Sequence, residues 1–156
     1  MPTETVTADW VREQVFMLRD HAGFPIIMAK PHGVLGADLL PLSLIGCAIW
    51  DVVDILRKQR QPLTRCEVHA ESERDSEPPW RFRKIELVYL IWGNGVDPKA
   101  VERAIRLTED KYCSVYATLK AAVELTSRVE ILEDELASGA QTARDGNRQA
   151  MPPTES

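Results

Sequence analysis

The chain has 156 residues, enough for one buried core, and its 44% hydrophobic and 28% charged content is the balance of a soluble globular protein. A net charge of −5 gives no electrostatic pull toward nucleic acid or anionic lipid. Three widely spaced cysteines do not make a secreted disulfide framework, and no CxxC or Cys/His cluster has zinc spacing, so neither a metal nor a cofactor is expected.

The first residues, Met-Pro-Thr-Glu-Thr, carry neither a basic nor an apolar leader, so a cytoplasmic protein is expected. Residues 1–9 read as a flexible N-terminus. From Trp10 to Arg19 the chain alternates, with Val11, Val15 and Met17 on one face, and reads as a strand. A turn at Asp20-His21-Ala22-Gly23 leads into a second strand over Phe24 to Lys30.

After a loop rich in glycine and proline comes a long helix over residues 38–60. Asp38 is its candidate N-cap, Pro41 falls in the first turn, and Arg57, Lys58 and Arg60 sit at the end that favours cations. Leu39 to Trp50 is apolar nearly all the way round, which predicts burial on every side. Interrupted by Ser43 and Gly46, that run is too short to be read as a membrane span.

Gln61-Pro62 stops the helix. Arg65 to Glu71 alternates, with Cys66, Val68 and Ala70 on the apolar face, and Arg81 to Trp92 is a longer strand carrying Ile85, Leu87, Tyr89 and Ile91. Asp97-Pro98 is an N-cap followed by proline at the first helical position, opening a helix to about Glu109. A short helical segment carries Cys113, and Val123 to Ile131 alternates as a last strand. Residues 137–156 are too polar to offset the entropy of ordering them and read as a disordered tail. The order gives an α+β domain over 10–136, with helices on mainly antiparallel strands. So few strands cannot cover the long helix from one side, and an isologous homodimer is the expected cover.

Cys47 and Cys113 are the candidate chemistry. A reactive thiol needs thiolate character and a nearby cation, and a second thiol can condense with its sulfenic acid to a disulfide. Cys47 sits at mid-helix, where the dipole helps little, and Cys113 follows Lys111 near a helix start. Space-filling is the competing reading for both, and Cys66 reads as core. His21, His32 and His69 read as surface residues.

Leu-Leu-Pro-Leu-Ser-Leu-Ile-Gly-Cys47-Ala-Ile-Trp-Asp-Val-Val-Asp-Ile-Leu, followed by Ala-Ile-Arg-Leu-Thr-Glu-Asp-Lys-Tyr-Cys113-Ser-Val, resembles the OsmC/Ohr family, and its YhfA-like branch most. The resemblance spans roughly residues 10–131. It implies an OsmC-like fold: an intertwined homodimer with long central helices buried between curved sheets. It also implies a thiol-dependent peroxidase that reduces organic hydroperoxides, with Cys47 as peroxidatic and Cys113 as resolving cysteine, recycled by an external dithiol. The family's site arginine maps to Arg12, with Arg19 in reserve. Its helix-start glutamate maps to Asp38, whose side chain is a methylene shorter. Two alternatives stand beside this: a non-catalytic OsmC-fold protein holding a small apolar ligand at the dimer interface, and a thiol redox sensor.

Overall fold

A computed structural model describes residues 3–134. The tail expected over 137–156 lies outside the described residues. The chain builds two separate three-stranded sheets joined by one long helix. Strands β1 (Thr7–Arg12), β2 (Val15–Arg19) and β3 (Pro25–Ala29) form an antiparallel meander. The single strand expected over 10–19 is therefore two. Glu13 turns the chain back at φ 45°, and Trp10 Nε1 donates to its carbonyl at 2.9 Å. Neither Glu13 nor Gln14 is a turn-forming residue type, and alternation continues on both sides of the turn, so periodicity alone ran through it.

A single 3₁₀ turn, Gly36–Asp38, leads into α1 (Leu39–Lys58). Asp38 is itself helical, at φ −72° and ψ −21°, and its carboxylate caps no backbone N–H, so its expected N-cap role does not form. The second sheet contains β4 (Arg65–Arg74), β5 (Phe82–Trp92) and β6 (Glu124–Leu132). Between β5 and β6 lie α2 (Pro98–Leu107), a π-helical turn (Thr108–Tyr112) and α3 (Ser114–Leu119). The cap of α2 is as its sequence predicts: Asp97 accepts from the Lys99 N–H at 3.0 Å, with Pro98 at the first position. β4 and β5 are antiparallel, whereas β6 runs parallel to β5, from Lys84 opposite Glu124 to Trp92 opposite Leu132. The helical crossover makes this possible, because parallel neighbours cannot be joined by a tight turn.

The core lies between α1, α2 and one face of the second sheet. Leu44, Ala48, Val52 and Leu56 recur every fourth residue, forming one stripe of α1. That stripe packs with Val68 of β4, with Ile85, Leu87, Tyr89 and Ile91 of β5, and with Ala100, Val101 and Ala104 of α2. Among the described residues, none from β1–β3 belongs to this cluster.

Burial of α1 on all sides does not hold within one chain. Its opposite face carries Leu42 and Gly46 in the open and Trp50 at 76% exposure. Gly36–Lys58 has the length and mean hydropathy, 1.9, of a membrane span, longer than the sequence reading allowed. One stripe of it nevertheless forms the centre of a β-sheet core.

Gly93 closes the β5 end at φ 154°, and a Cβ there would collide with the carbonyl oxygen of Pro62. Gly95, at φ 80°, has open space around it. Gly93→Ala is expected to destabilise the fold by about 1–3 kcal/mol or more through this backbone collision. Gly95→Ala should lose less, carrying only conformational strain. Urea midpoints of the two variants make the comparison.

Candidate functional site

The two thiols singled out in the sequence come together. Cys47 sits half-buried on α1 between exposed Gly46 and buried Ala48. Cys113 is the N-cap of α3, 2% exposed, with φ −78° and ψ 102°. Its extended backbone follows from the π-helical turn before it. There the Cys113 N–H donates to the Thr108 carbonyl at 2.8 Å, closing a ring one residue wider than an α-helical turn. Thr108, itself buried, donates its hydroxyl to the Ala104 carbonyl at 2.9 Å and anchors the turn to α2. The Cys113 Sγ accepts from the Tyr116 N–H at 3.3 Å, and Cys47 packs against the core cluster that contains Cys113.

Burial pushes the Cys113 thiol up to about 11, and the neighbouring Cys47 thiol pushes the same way. The N–H groups of Tyr116 and Val115 at the start of α3 pull it back only in part. Lys111 does not serve this thiol: its ammonium lies 5.5 Å from the centre of the Tyr112 ring. Cys66 shares the helix-facing side of β4 with Val68 and Ala70, and burial also pushes it to about 11.

Arg12 and Asp38 do not meet. Arg12 is exposed on β1, and Arg19 is exposed at the end of β2. The Asp38 carboxylate instead pairs with Arg74 at 3.8 Å. Arg74 lies over the ring of Phe82, 4.1 Å from its centre. Arg74 was missed because β4 runs three residues past Glu71, through an irregularity at Glu73 and Arg74 that breaks its alternation.

Two further groups stand behind Cys113 and were read only as structural. Tyr89 is completely buried, and its hydroxyl has no hydrogen-bond partner. Burial drives its ionisation far up, with Glu109, Cys113, Tyr116 and Cys66 adding to the effect. Glu109, in the π-helical turn, has one oxygen buried without a partner. Burial raises it, the neighbouring Ser127 hydroxyl opposes the rise, and Asp110 adds to it. Nothing in a linear pattern of apolar residues marks the hydroxyl of one of them as buried without a partner.

His69 lies on the outer face of β4, 3.2 Å from Glu67. Among the described residues, no group of three His, Cys, Asp or Glu side chains could hold a metal ion. A cavity of about 520 Å³ opens beside the start of α1, lined by Phe16, Met28, Lys30 and Leu35 among others, with no cysteine in its wall.

Comparison with known proteins gives one consistent family. The family described as OsmC-like protein matches residues 30–128. Protein YhfA of Escherichia coli strain K12 is 36% identical over 126 residues, covering 79% of this chain and 94% of YhfA. A crystal structure of a hypothetical protein from Aquifex aeolicus VF5 superposes with a TM-score of 0.77 at 30% identity, covering 86% of this chain and all of that one. The organic hydroperoxide resistance protein OhrB of Bacillus subtilis superposes at 0.55 with 13% identity, over 82% of this chain and 98% of its own, a likeness of fold alone.

With both thiols near 11, roughly one molecule in a thousand carries a Cys66 or Cys113 thiolate at pH 8. Iodoacetamide labelling at these two residues, read by peptide mapping, is expected to rise about tenfold per pH unit up to that range. Fast labelling of Cys113 at neutral pH would contradict the buried, hydrogen-bonded geometry.

Proposed function

The chain belongs to the OsmC-like protein family, and on that premise we propose that it is a homodimeric thiol-dependent peroxidase of the cytoplasm that reduces organic hydroperoxides. The observation that supports the reading is that Cys47 packs against the core cluster that contains Cys113, with the two thiols acting on each other's ionisation. Two neighbouring thiols can exchange a sulfenic acid for a disulfide without a large rearrangement. Cys47, half-buried on α1, is the more accessible of the pair and takes the peroxide.

In the first step the Cys47 thiolate attacks the O–O bond of ROOH. Cys47 becomes a sulfenic acid, and the leaving alkoxide takes a proton to give ROH. In the second step the Cys113 sulfur displaces hydroxide from the Cys47 sulfur. The products are the Cys47–Cys113 disulfide and water. An external dithiol then reduces the disulfide by exchange.

A second copy of the chain answers two needs at once. Trp10 at 72% and Phe24 at 71% exposure on the first sheet, and Trp50 on α1, are large apolar groups left open. Gly46 has nothing within 4 Å of where its Cβ would be, so another helix can cross α1 closely beside Cys47. Arg12, exposed on β1 and matched to the family's site arginine by the resemblance, is one candidate cation for Cys47. Arg74, held by Asp38, is the candidate within the chain. A guanidinium there would lower the thiol's pKa and bind the peroxide oxygen.

One observation favours the ligand-binding alternative: among the described residues no arginine is hydrogen-bonded to either thiol. In that reading the cysteines pack, and the dimer interface holds a small apolar molecule.

The deciding experiment is intact-protein mass spectrometry after brief exposure to cumene or t-butyl hydroperoxide. The expected result is loss of two hydrogens in the wild type and in neither Cys47→Ser nor Cys113→Ser, with a trappable sulfenic acid in Cys113→Ser. Unmodified thiols at the same dose would leave the ligand-binding reading. Separately, Trp50→Glu, placing a charge on the open face of α1, is expected to shift sedimentation from dimer to monomer. A wild type that sediments as a monomer at every concentration would refute the homodimer.

A further inference from the structure

We propose that the cavity of about 520 Å³ beside the start of α1 binds a linear alkyl carboxylate, its head at Lys30 and its tail along the apolar face of the first sheet. The site lies apart from the thiols, since no cysteine lines it, and it does not rest on the peroxidase reading.

The cavity is built by β2, β3 and the loop that follows them. Phe16 of β2 stands opposite Met28 of β3. The Lys30 N–H donates to the Gln14 carbonyl at 3.3 Å, which carries the pairing two residues further. Side chains alternate across a sheet, so Gln14, Phe16, Met28 and Lys30 share one face, and all four line the cavity. The opposite wall comes from Leu35 and Gly36 in the loop. Gly33 lets that loop close on the sheet: a Cβ there would come within 2.8 Å of the Ala29 nitrogen. Val34 then bridges to Met28, and Gly36 lies against the Met28 sulfur. The loop covers one end of the face and leaves a cleft of small-molecule size, where a bare sheet would offer a flat surface.

The two ends of the cleft define the ligand. In the next row of the same face Leu18 stands opposite Ile26, with Leu18 half-buried and Ile26 exposed. The rows therefore run from polar to apolar: Gln14 with Lys30, then Phe16 with Met28, then Leu18 with Ile26. From Lys30 to Ile26 the face extends about 13 Å at the rise of a strand, a track suited to one extended alkyl tail. At the polar end, among the described residues, no carboxylate forms an ion pair with the Lys30 ammonium. Asp38 follows the wall in sequence but is engaged by Arg74 at 3.8 Å. An ammonium beside a side-chain amide offers donors only an acceptor can use, and the positive charge selects an anion. A carboxylate supplies both, and the apolar rows take up its tail.

The test is calorimetric titration of the full chain with straight-chain carboxylates from hexanoate to dodecanoate, below their micellar concentrations, beside the alcohols of the same lengths. Each added methylene is expected to tighten binding about twofold to fourfold, levelling off once the tail passes Ile26. The carboxylates should bind about fivefold more tightly than the matching alcohols, the scale of one exposed ion pair. Lys30→Met is expected to erase that preference. Ile26→Glu should weaken decanoate and dodecanoate while sparing hexanoate. Both residues are exposed, so neither change disturbs the core. Equal affinity for carboxylates and alcohols in the wild type, or an unchanged preference in Lys30→Met, overturns the proposal. The absence of saturable binding by any member of the series, as when a second copy of the chain fills the cleft, overturns it as well. Cys47→Ser should bind as the wild type does, and loss of binding there would place the ligand at the thiol instead. These titrations contain no hydroperoxide, so the peroxidase reading and this one fail separately.

Discussion

The burial of α1 is the constraint on which the rest of the molecule depends. Its apolar residues run round the helix, but a single three-stranded sheet and α2 can cover only the stripe of Leu44, Ala48, Val52 and Leu56. Apolar area left in water is unfavourable by roughly 25 cal/mol per Å², and a tryptophan presents a large share of such area. The uncovered face with Trp50 and the detached sheet with Trp10 and Phe24 are therefore two halves of one problem. A chain that solved it alone would need another layer, and the 132 residues described here do not contain one.

What the sequence disclosed, and what it did not, follows from the range of each interaction. The Asp97-Pro98 start of α2 and the face shared by Cys66, Val68 and Ala70 are local patterns, and they were legible. So was the family, because two cysteine motifs at a fixed separation are a long, specific string. The turn at Glu13 was not legible, since it uses no residue that favours a turn. The parallel pairing of β6 was not legible either, because strand direction is decided by where the crossover helices pack, far from the strand itself. Asp38 with Arg74 is a contact between distant elements. Only the folded chain brings them together.

The thiol cluster is built against the usual rule for buried polar groups. The Tyr89 hydroxyl and one Glu109 oxygen are buried without a hydrogen-bond partner, whereas the Cys113 sulfur accepts from the Tyr116 N–H. The outer face of the same sheet shows the opposite solution: Arg128 is surrounded by Glu71, Glu86 and Glu130 in an exposed network, each such pair contributing little in water. Polar groups are thus paired on the outer face of the sheet, while the Tyr89 hydroxyl on its inner face is left without a partner.

The parallel register of β6 also sets an order of assembly. Lys84 can pair with Glu124 only after the whole crossover, with α2 and α3 on it, has closed on the sheet. Contacts this distant along the chain form slowly, because the loop entropy is spent before the pairing rewards it. Cys113 rides on that crossover, whereas Cys47 is already on α1. On a chain emerging from synthesis the two sulfurs therefore stay apart until the crossover that carries Cys113 packs on α1. Oxidation that reaches the chain early finds isolated thiols, and the pair exists only in a molecule that has finished folding.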